Sequence, residues 1–217
     1  MGAIVVRAIY ELPLQQSLDK FYTDRYNDGM DTRTELLRQA EKLFAQRGYD
    51  AVGVQEIVDA ASVTKPTLYH YFGSKRGLLE TILGNEFHFF NELLREAANY
   101  QGDLPLTLRK IAIVFFEGAR RNPVFFRLQL ALWFAPRASE GFQVVEKYHR
   151  EQFDLVEKVF TQAVVQHGNM RGKQRALAAS FIGTLHHYVG LGLNDYATLD
   201  AQLVEQVTKQ FQHGIYS

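Results

Sequence analysis

The stretch "SVTKPTLYHYFGSKRG", residues 62–77, decides the fold and most of the function. Tyr69, His70, Tyr71 and Phe72 set four rings side by side. No carboxylate stands between Asp59 and Glu80, while Lys65, Lys75 and Arg76 are all basic. The chain as a whole carries 24 basic and 24 acidic side chains, so this excess is local rather than a share of a general charge. A surface that approaches phosphates must shed carboxylates, because each one repels the backbone, and must offer donors such as hydroxyls, ammoniums and helix N-termini.

The local pattern around this stretch is helical throughout. Thr64 is placed to cap a short helix with Pro66 in its first turn, where a missing N–H costs little. Leu68 and Phe72 share one face of that helix, and Val63 is expected to point the same way. Upstream, Val54, Ile57, Val58 and Ala61 mark a helix of about two turns that Gly53 could cap. Thr32 and Glu35 have capping-box spacing at the head of a longer helix, with Leu36, Leu37, Ala40, Leu43 and Phe44 on its apolar face and Gly48 as its stop. Ser74 caps a further helix that runs through Leu78, Leu79, Ile82 and Leu83 toward residue 97. Two short helices joined by the Ser62-Val63 turn and braced on both sides match a helix-turn-helix, whose second helix enters the major groove. Lys65 and Thr67 then stand where side chains reach base edges. Tyr69 and Tyr71 are placed as phosphate clamps. Lys75 and Arg76 sit at a helix N-terminus whose dipole favours an anion.

With 217 residues, 47% of them apolar, the chain can bury a real core. The absence of cysteine excludes a disulfide scaffold, thiolate zinc sites and cysteine nucleophiles. No contiguous apolar run reaches the roughly 18–20 residues of a membrane span. The N-terminus lacks the charge order of a signal peptide, since Arg7 follows its short apolar run. No phosphate loop, nucleophile elbow, paired carboxylate site or metal-ligand cluster stands out. The expectation is a cytoplasmic, non-enzymatic protein with no cofactor, no metal and no membrane partner.

Residues 32–83 resemble the DNA-binding domain of the TetR family of transcriptional regulators, chiefly through Phe44, Gly48, Ile57, Ala61, Val63, Leu68-Tyr69-His70-Tyr71-Phe72 and Ser74-Lys75. The resemblance implies an all-α protein: an N-terminal three-helix helix-turn-helix domain followed by a helical ligand-binding and dimerisation domain. It also implies a homodimer on a palindromic operator of double-stranded DNA, usually repression, and a small-molecule inducer. Carried over by position, Lys65, Thr67 and His70 face the groove, and Tyr69, Tyr71 and Lys75 hold phosphates. Gln55, Thr64 and Arg76 complete the expected DNA-binding set. Two positions depart from the family pattern: Gly53 stands where Thr or Ser usually caps, and Ser62 where the turn usually has Gly. A non-glycine residue there predicts a turn of positive φ or of altered shape.

The rest of the chain reads as helices near 104–121, 123–135, 139–167, 172–193 and 200–214. Their aromatic content, with the resemblance, predicts an apolar ligand site formed by Phe90, Phe115, Phe116, Glu117, Trp133 and His187. Glu117, set in an apolar stretch, needs a partner. Adjacent histidines point about 100° apart on a helix and cannot easily share one ion, which argues against metal at His186-His187. Ala176, Ala179, Gly183 and Gly190 form a stripe of small residues on helix 172–193, with His186 or His187 in its gap. The family's placement of its dimer bundle on the last two helices suits that stripe, with Leu203, Val207 and Phe211 on the partner helix.

The expected organisation is an N-terminal extension over 1–30, a DNA-binding domain over 31–78 and a ligand-binding and dimerisation domain over 79–217. The extension carries three basic and four acidic residues, which argues against a phosphate-tracking arm. Met30 is an alternative start of translation. The function expected is a ligand-responsive transcriptional regulator, a repressor released by a mostly apolar or aromatic inducer. The alternative is a non-catalytic α-helical ligand carrier or interaction protein with a vestigial helix-turn-helix.

Overall fold

A computed structural model describes residues 31–213. The expected N-terminal extension and the Met30 start lie outside the described residues. Nine α-helices and one 3-10 turn, and no strand, are found among the described residues: α1 Thr32–Arg47, α2 Val54–Ala60, α3 Lys65–Phe72, α4 Lys75–Ala97, α5 Leu104–Arg121, α6 Pro123–Trp133, α7 Glu140–Ala163, the 3-10 turn Gly168–Met170, α8 Gln174–Leu193 and α9 Ala201–His213. The all-α expectation therefore holds.

The described residues fall into two compact units. The first takes in 31–89 and 122–150, and so reaches past the 31–78 segment that carries the helix-turn-helix; the second takes in 90–121 and 151–213. The helices α4 and α7 each begin in the first and end in the second.

In the first unit, the core of the three-helix head is Leu36, Ala40, Phe44, Ile57, Val58 and Leu68, with Leu78 and Leu79 of α4 closing it; all are essentially inaccessible. Helix α6 packs on α1. The capping of α1 differs from expectation. Asp31, not Thr32, is the cap: its carboxylate accepts from the Thr34 N–H at 2.6 Å. Glu35 does not reach back but pairs with Arg38 at 2.7 Å and accepts from Gln39 at 2.8 Å. A carboxylate one residue earlier outcompetes a Thr hydroxyl because it accepts more strongly at the positive end of the helix dipole.

The turn between α2 and α3 closes as the residue types require. Ser62 takes φ +54, and the Val63 N–H bonds the Val58 carbonyl at 2.9 Å, the long bond of a Schellman ending. Serine therefore occupies the left-handed position that glycine would fill at no steric cost. Gly53 caps α2 by position, with no side-chain hydrogen bond, and Ser74 caps α4 by accepting from the Gly77 N–H at 2.9 Å.

In the second unit, α8 and α9 pack on α5. Phe90 meets Phe115 edge-on at 5.2 Å, and Phe115 meets His186 at 5.5 Å. Phe211 lies between Phe181 at 4.9 Å and Phe160 at 6.0 Å. Helix α8 is long and apolar enough to cross a membrane by length and composition alone, although no contiguous apolar run reaches that length. Little of it is buried within the chain. The reason is visible along α8: Ala178, Phe181, Ile182, Leu185 and Val189 point inward, while Ala176, Ala179, Ser180 and Gly183 are exposed.

Candidate nucleic-acid interface

Helix α3, the second helix of the helix-turn-helix, is rooted by two side chains. Leu68 is fully buried and Phe72 nearly so, while Val63 is half-buried. Around that root, Lys65, Tyr69, His70 and Tyr71 are exposed, the two tyrosines by 47% and 42%. Such exposure is high for large rings, and rings this exposed do not contribute to the core. The Thr64 and Thr67 hydroxyls lie 2.9 Å apart and so tie the first turn together. The Gln55 amide donates to Asp59 at 2.7 Å and stays on the exposed side of α2.

The two cations that follow α3 behave differently from Lys65. Lys75 donates to the main-chain carbonyls of Tyr49 at 3.0 Å and Val52 at 3.1 Å, and its ammonium lies 4.2 Å from the centre of the Tyr49 ring. The ammonium that the resemblance assigns to a phosphate is thus engaged on the loop between α1 and α2. Arg76 pairs with Glu80 at 2.8 Å and reaches the Gln143 side chain at 3.4 Å. Glu56, the acid nearest the window on α2 apart from Asp59, is held by Arg47.

Two features of this face were not legible in residues 62–77. Arg33, in the first turn of α1, sets its guanidinium 5.6 Å from the Phe72 ring, bringing another cation to the end of α3. Gly77 is required by contact: a Cβ there would lie 2.0 Å from the Phe72 carbonyl oxygen, so α4 can start against the end of α3 only with glycine at this place.

The expected ligand set does not lie within one unit. Phe90, Phe115, Phe116, Glu117 and His187 belong to the second unit. Trp133 belongs to the first, where it stacks on His149 at 4.5 Å and on Phe142 at 5.5 Å. Phe115 and Phe116 are fully buried, and Phe116 faces Tyr188 at 6.5 Å. Glu117 is buried and finds its partners on its own helix, Arg120 at 2.8 Å and Arg121 at 3.3 Å. Of the two histidines, His187 is exposed, on the side of Gly183, and it is His186 that enters the core. Burial pushes the His186 imidazole down to about 4, so it is neutral in the folded chain near pH 7.

Of the expected interface residues, Ala176, Ala179 and Gly183 are exposed, and Gly190, Leu203 and Phe211 are half-buried. Val207 is a correction: at 1% exposure it belongs to the chain's own core and offers nothing to a partner. Its helix α9 presents Val204, Val207 and Thr208 inward, a one-residue rotation of the face that the sequence pattern suggested.

Residues 36–82 match the model for bacterial regulatory proteins of the tetR family. Residues 36–82 therefore carry a tetR-type domain. The match falls on the three-helix head and the start of α4, the part with the exposed tyrosines. Over a longer span, the transcriptional activator FasR of Mycolicibacterium smegmatis is 26% identical over 187 residues, which covers 85% of this chain and 82% of FasR. The transcriptional repressor KstR2 of Rhodococcus jostii is 49% identical over 51 residues, 24% of this chain and 25% of its own. Among solved structures, the tetR-type fold is shared with FadR from Bacillus subtilis in complex with stearoyl-CoA, at a TM-score of 0.70 and 20% identity, covering 84% of this chain and 98% of that one. The tetR-family head here is thus a helix-turn-helix carried by a chain whose remaining helices also follow the fold of such regulators.

Proposed function

We propose that this chain is a cytoplasmic, homodimeric transcriptional repressor that binds a palindromic operator and releases it when an apolar ligand enters the second unit. The observation that carries the reading is α3 itself. Its two buried side chains anchor a face of Lys65, Tyr69, His70 and Tyr71, in a stretch, 60–79, that contains no carboxylate. Tyrosine hydroxyls and lysine ammoniums donate to phosphate oxygens, and the first-turn residues reach base edges.

The ligand class follows from the second unit and the relatives. Phe90, Phe115 and the neutral His186 make a continuous apolar seam across α4, α5 and α8. FadR from Bacillus subtilis, which shares the fold, was solved with stearoyl-CoA. An acyl chain of that kind suits the seam, and we infer a long-chain acyl ligand. It shifts the DNA equilibrium only by binding one conformation better than the other.

The test is binding of the full chain to duplexes it selects from a random pool, followed by fluorescence anisotropy, with and without stearoyl-CoA. Selection of a palindromic site, lost on adding stearoyl-CoA, is expected. Failure to select any duplex defeats the regulator reading; selection without an acyl effect defeats only the ligand class.

A further inference from the structure

The loop between α1 and α2 is held from two sides within the first unit. From one side, Lys75 at the start of α4 binds the carbonyls of Tyr49 and Val52 and lies over the Tyr49 ring. From the other, the Tyr49 hydroxyl donates to the carboxylate of Glu140, the first residue of α7. The Tyr49 ring also meets Phe44 edge-on at 5.0 Å and is almost wholly buried. It cannot swing away without opening the head's core.

The start of α7 is itself fixed. Ser139 accepts from the Phe142 N–H at 3.2 Å, and Glu140 stands in the first turn, where a carboxylate is favoured. Gly141 packs closely here: a Cβ there would lie in ordinary contact with Tyr49 Cδ1 at 3.7 Å and would displace the end of the Leu132 side chain. Arg76 also turns toward this corner, 4.0 Å from Glu140 and 3.4 Å from Gln143. Burial pushes the Tyr49 phenol up, and the hydrogen bond to Glu140 adds to it, so the hydroxyl remains a donor throughout the pH range in which the chain would work.

We propose that Glu140 is a positioning residue for DNA reading: by holding Tyr49, and through its carbonyl Lys75, it sets the attitude of the recognition helix. The proposal rests on the regulator reading given above. Lys75 follows α3 by two residues, Gly73 and Ser74, so any displacement of Lys75 is passed to the end of α3 over a very short lever. The sign of the effect separates this role from simple electrostatics. Glu140→Gln removes a negative charge from a unit that meets phosphates, and by charge alone it would tighten DNA binding. Loss of positioning weakens it instead.

The experiment uses the full chain, a duplex selected from a random pool by the wild type, and an unrelated duplex of equal length. Glu140→Gln and Tyr49→Phe should each weaken the selected duplex roughly tenfold, the lower end of what a charge-assisted hydrogen bond supplies. The unrelated duplex should bind as before or more tightly, and the salt slope should not change, since no phosphate contact is removed. The double variant should lose no more than either single one. The proposal is overturned if Glu140→Gln binds the selected duplex as tightly as the wild type, if the two losses add, or if both duplexes weaken alike in step with a fall in thermal stability. A wild type that selects no duplex sinks the regulator reading, and this proposal with it.

Discussion

Helices α3 and α8 both leave one face uncovered, and the chemistry of the two faces differs. On α3 the uncovered residues are Lys65, Pro66, Tyr69, His70 and Tyr71, all but Pro66 with side-chain donors and most with rings. On α8 they are Arg175 at its start and then Ala176, Ala179, Ser180, Gly183 and His187, mostly small. A face of donors without carboxylates suits phosphates and base edges. A face of small side chains has almost no chemistry to offer, but it lets another helix come close. The inward faces are alike, with Leu68 and Phe72 on one helix and Phe181 and Leu185 on the other. Exposure alone therefore says little; the residue types that remain exposed say what they are for.

Four substitutions would break or sharpen this contrast. The largest effect is expected at the root of α3. Leu68→Ala leaves a cavity under the recognition helix and should cost about 2–5 kcal/mol of stability, read by denaturant unfolding. If stability is unchanged, Leu68 does not anchor the face.

The next effect tells the inward from the outward side of α8. His186 has its folded-state value lowered to about 4 from 6.5. Between those two values the unfolded chain binds the proton and the folded chain does not. Its contribution to stability is therefore complete above pH 6.5 and is lost as pH falls toward 4, on the order of 3 kcal/mol in all. His186→Gln should flatten that part of the stability–pH curve, and His187→Gln should leave it as it is. Equal curves for the wild type and His186→Gln would mean that His186 is not the buried titrating group.

Gly183→Leu tests the outward side. A Cβ at Gly183 meets nothing within 4 Å in its own chain, so the fold of the single chain should survive. A second helix packed there would not tolerate the side chain, and a cost of about 1–3 kcal/mol at the interface is expected. Sedimentation should show monomers that are still folded by circular dichroism. A normal dimer would place the second copy elsewhere.

The smallest effects separate the cations beside α3. Lys65→Ala should change which duplex is preferred, as loss of a base-edge contact does. Lys75→Ala should weaken binding through the loop it holds and leave the salt slope of DNA binding unchanged. If Lys75→Ala lowers the slope instead, its ammonium leaves the Tyr49 and Val52 carbonyls for a phosphate when DNA binds.

Much of the head was readable because its signals are local. The boundaries of α2 and α3 follow from Gly53, Thr64, Pro66 and the apolar spacing, and the positive φ at Ser62 was foreseeable from its place in the turn. Asp31 was passed over as the cap of α1 because Thr32 and Glu35 gave a recognised spacing, although the acid before them is the stronger acceptor. On α9, the pattern set Val207 on the outer face, and the structure turns it inward. Its apolar residues are spread over enough of the helix that the sequence leaves the inward direction undetermined by one position. Trp133 was grouped with the aromatic residues of α5 on residue type, whereas its stacking partners Phe142 and His149 come from α7.

By itself the sequence determined that this chain is helical, that residues 32–83 form a helix-turn-helix, and that one short window is cleared of carboxylates. These properties depend on period, capping and residue type, which are written within a turn or two of chain. Only the tertiary structure decided which cation beside α3 is engaged by carbonyls, which of two adjacent histidines is buried, that Gly77 meets the end of α3, and that Glu140 meets Tyr49. Each of those depends on what a distant segment brings within a few ångströms. Glu140 lies 91 residues from the hydroxyl it holds, and no spacing along the chain records that contact.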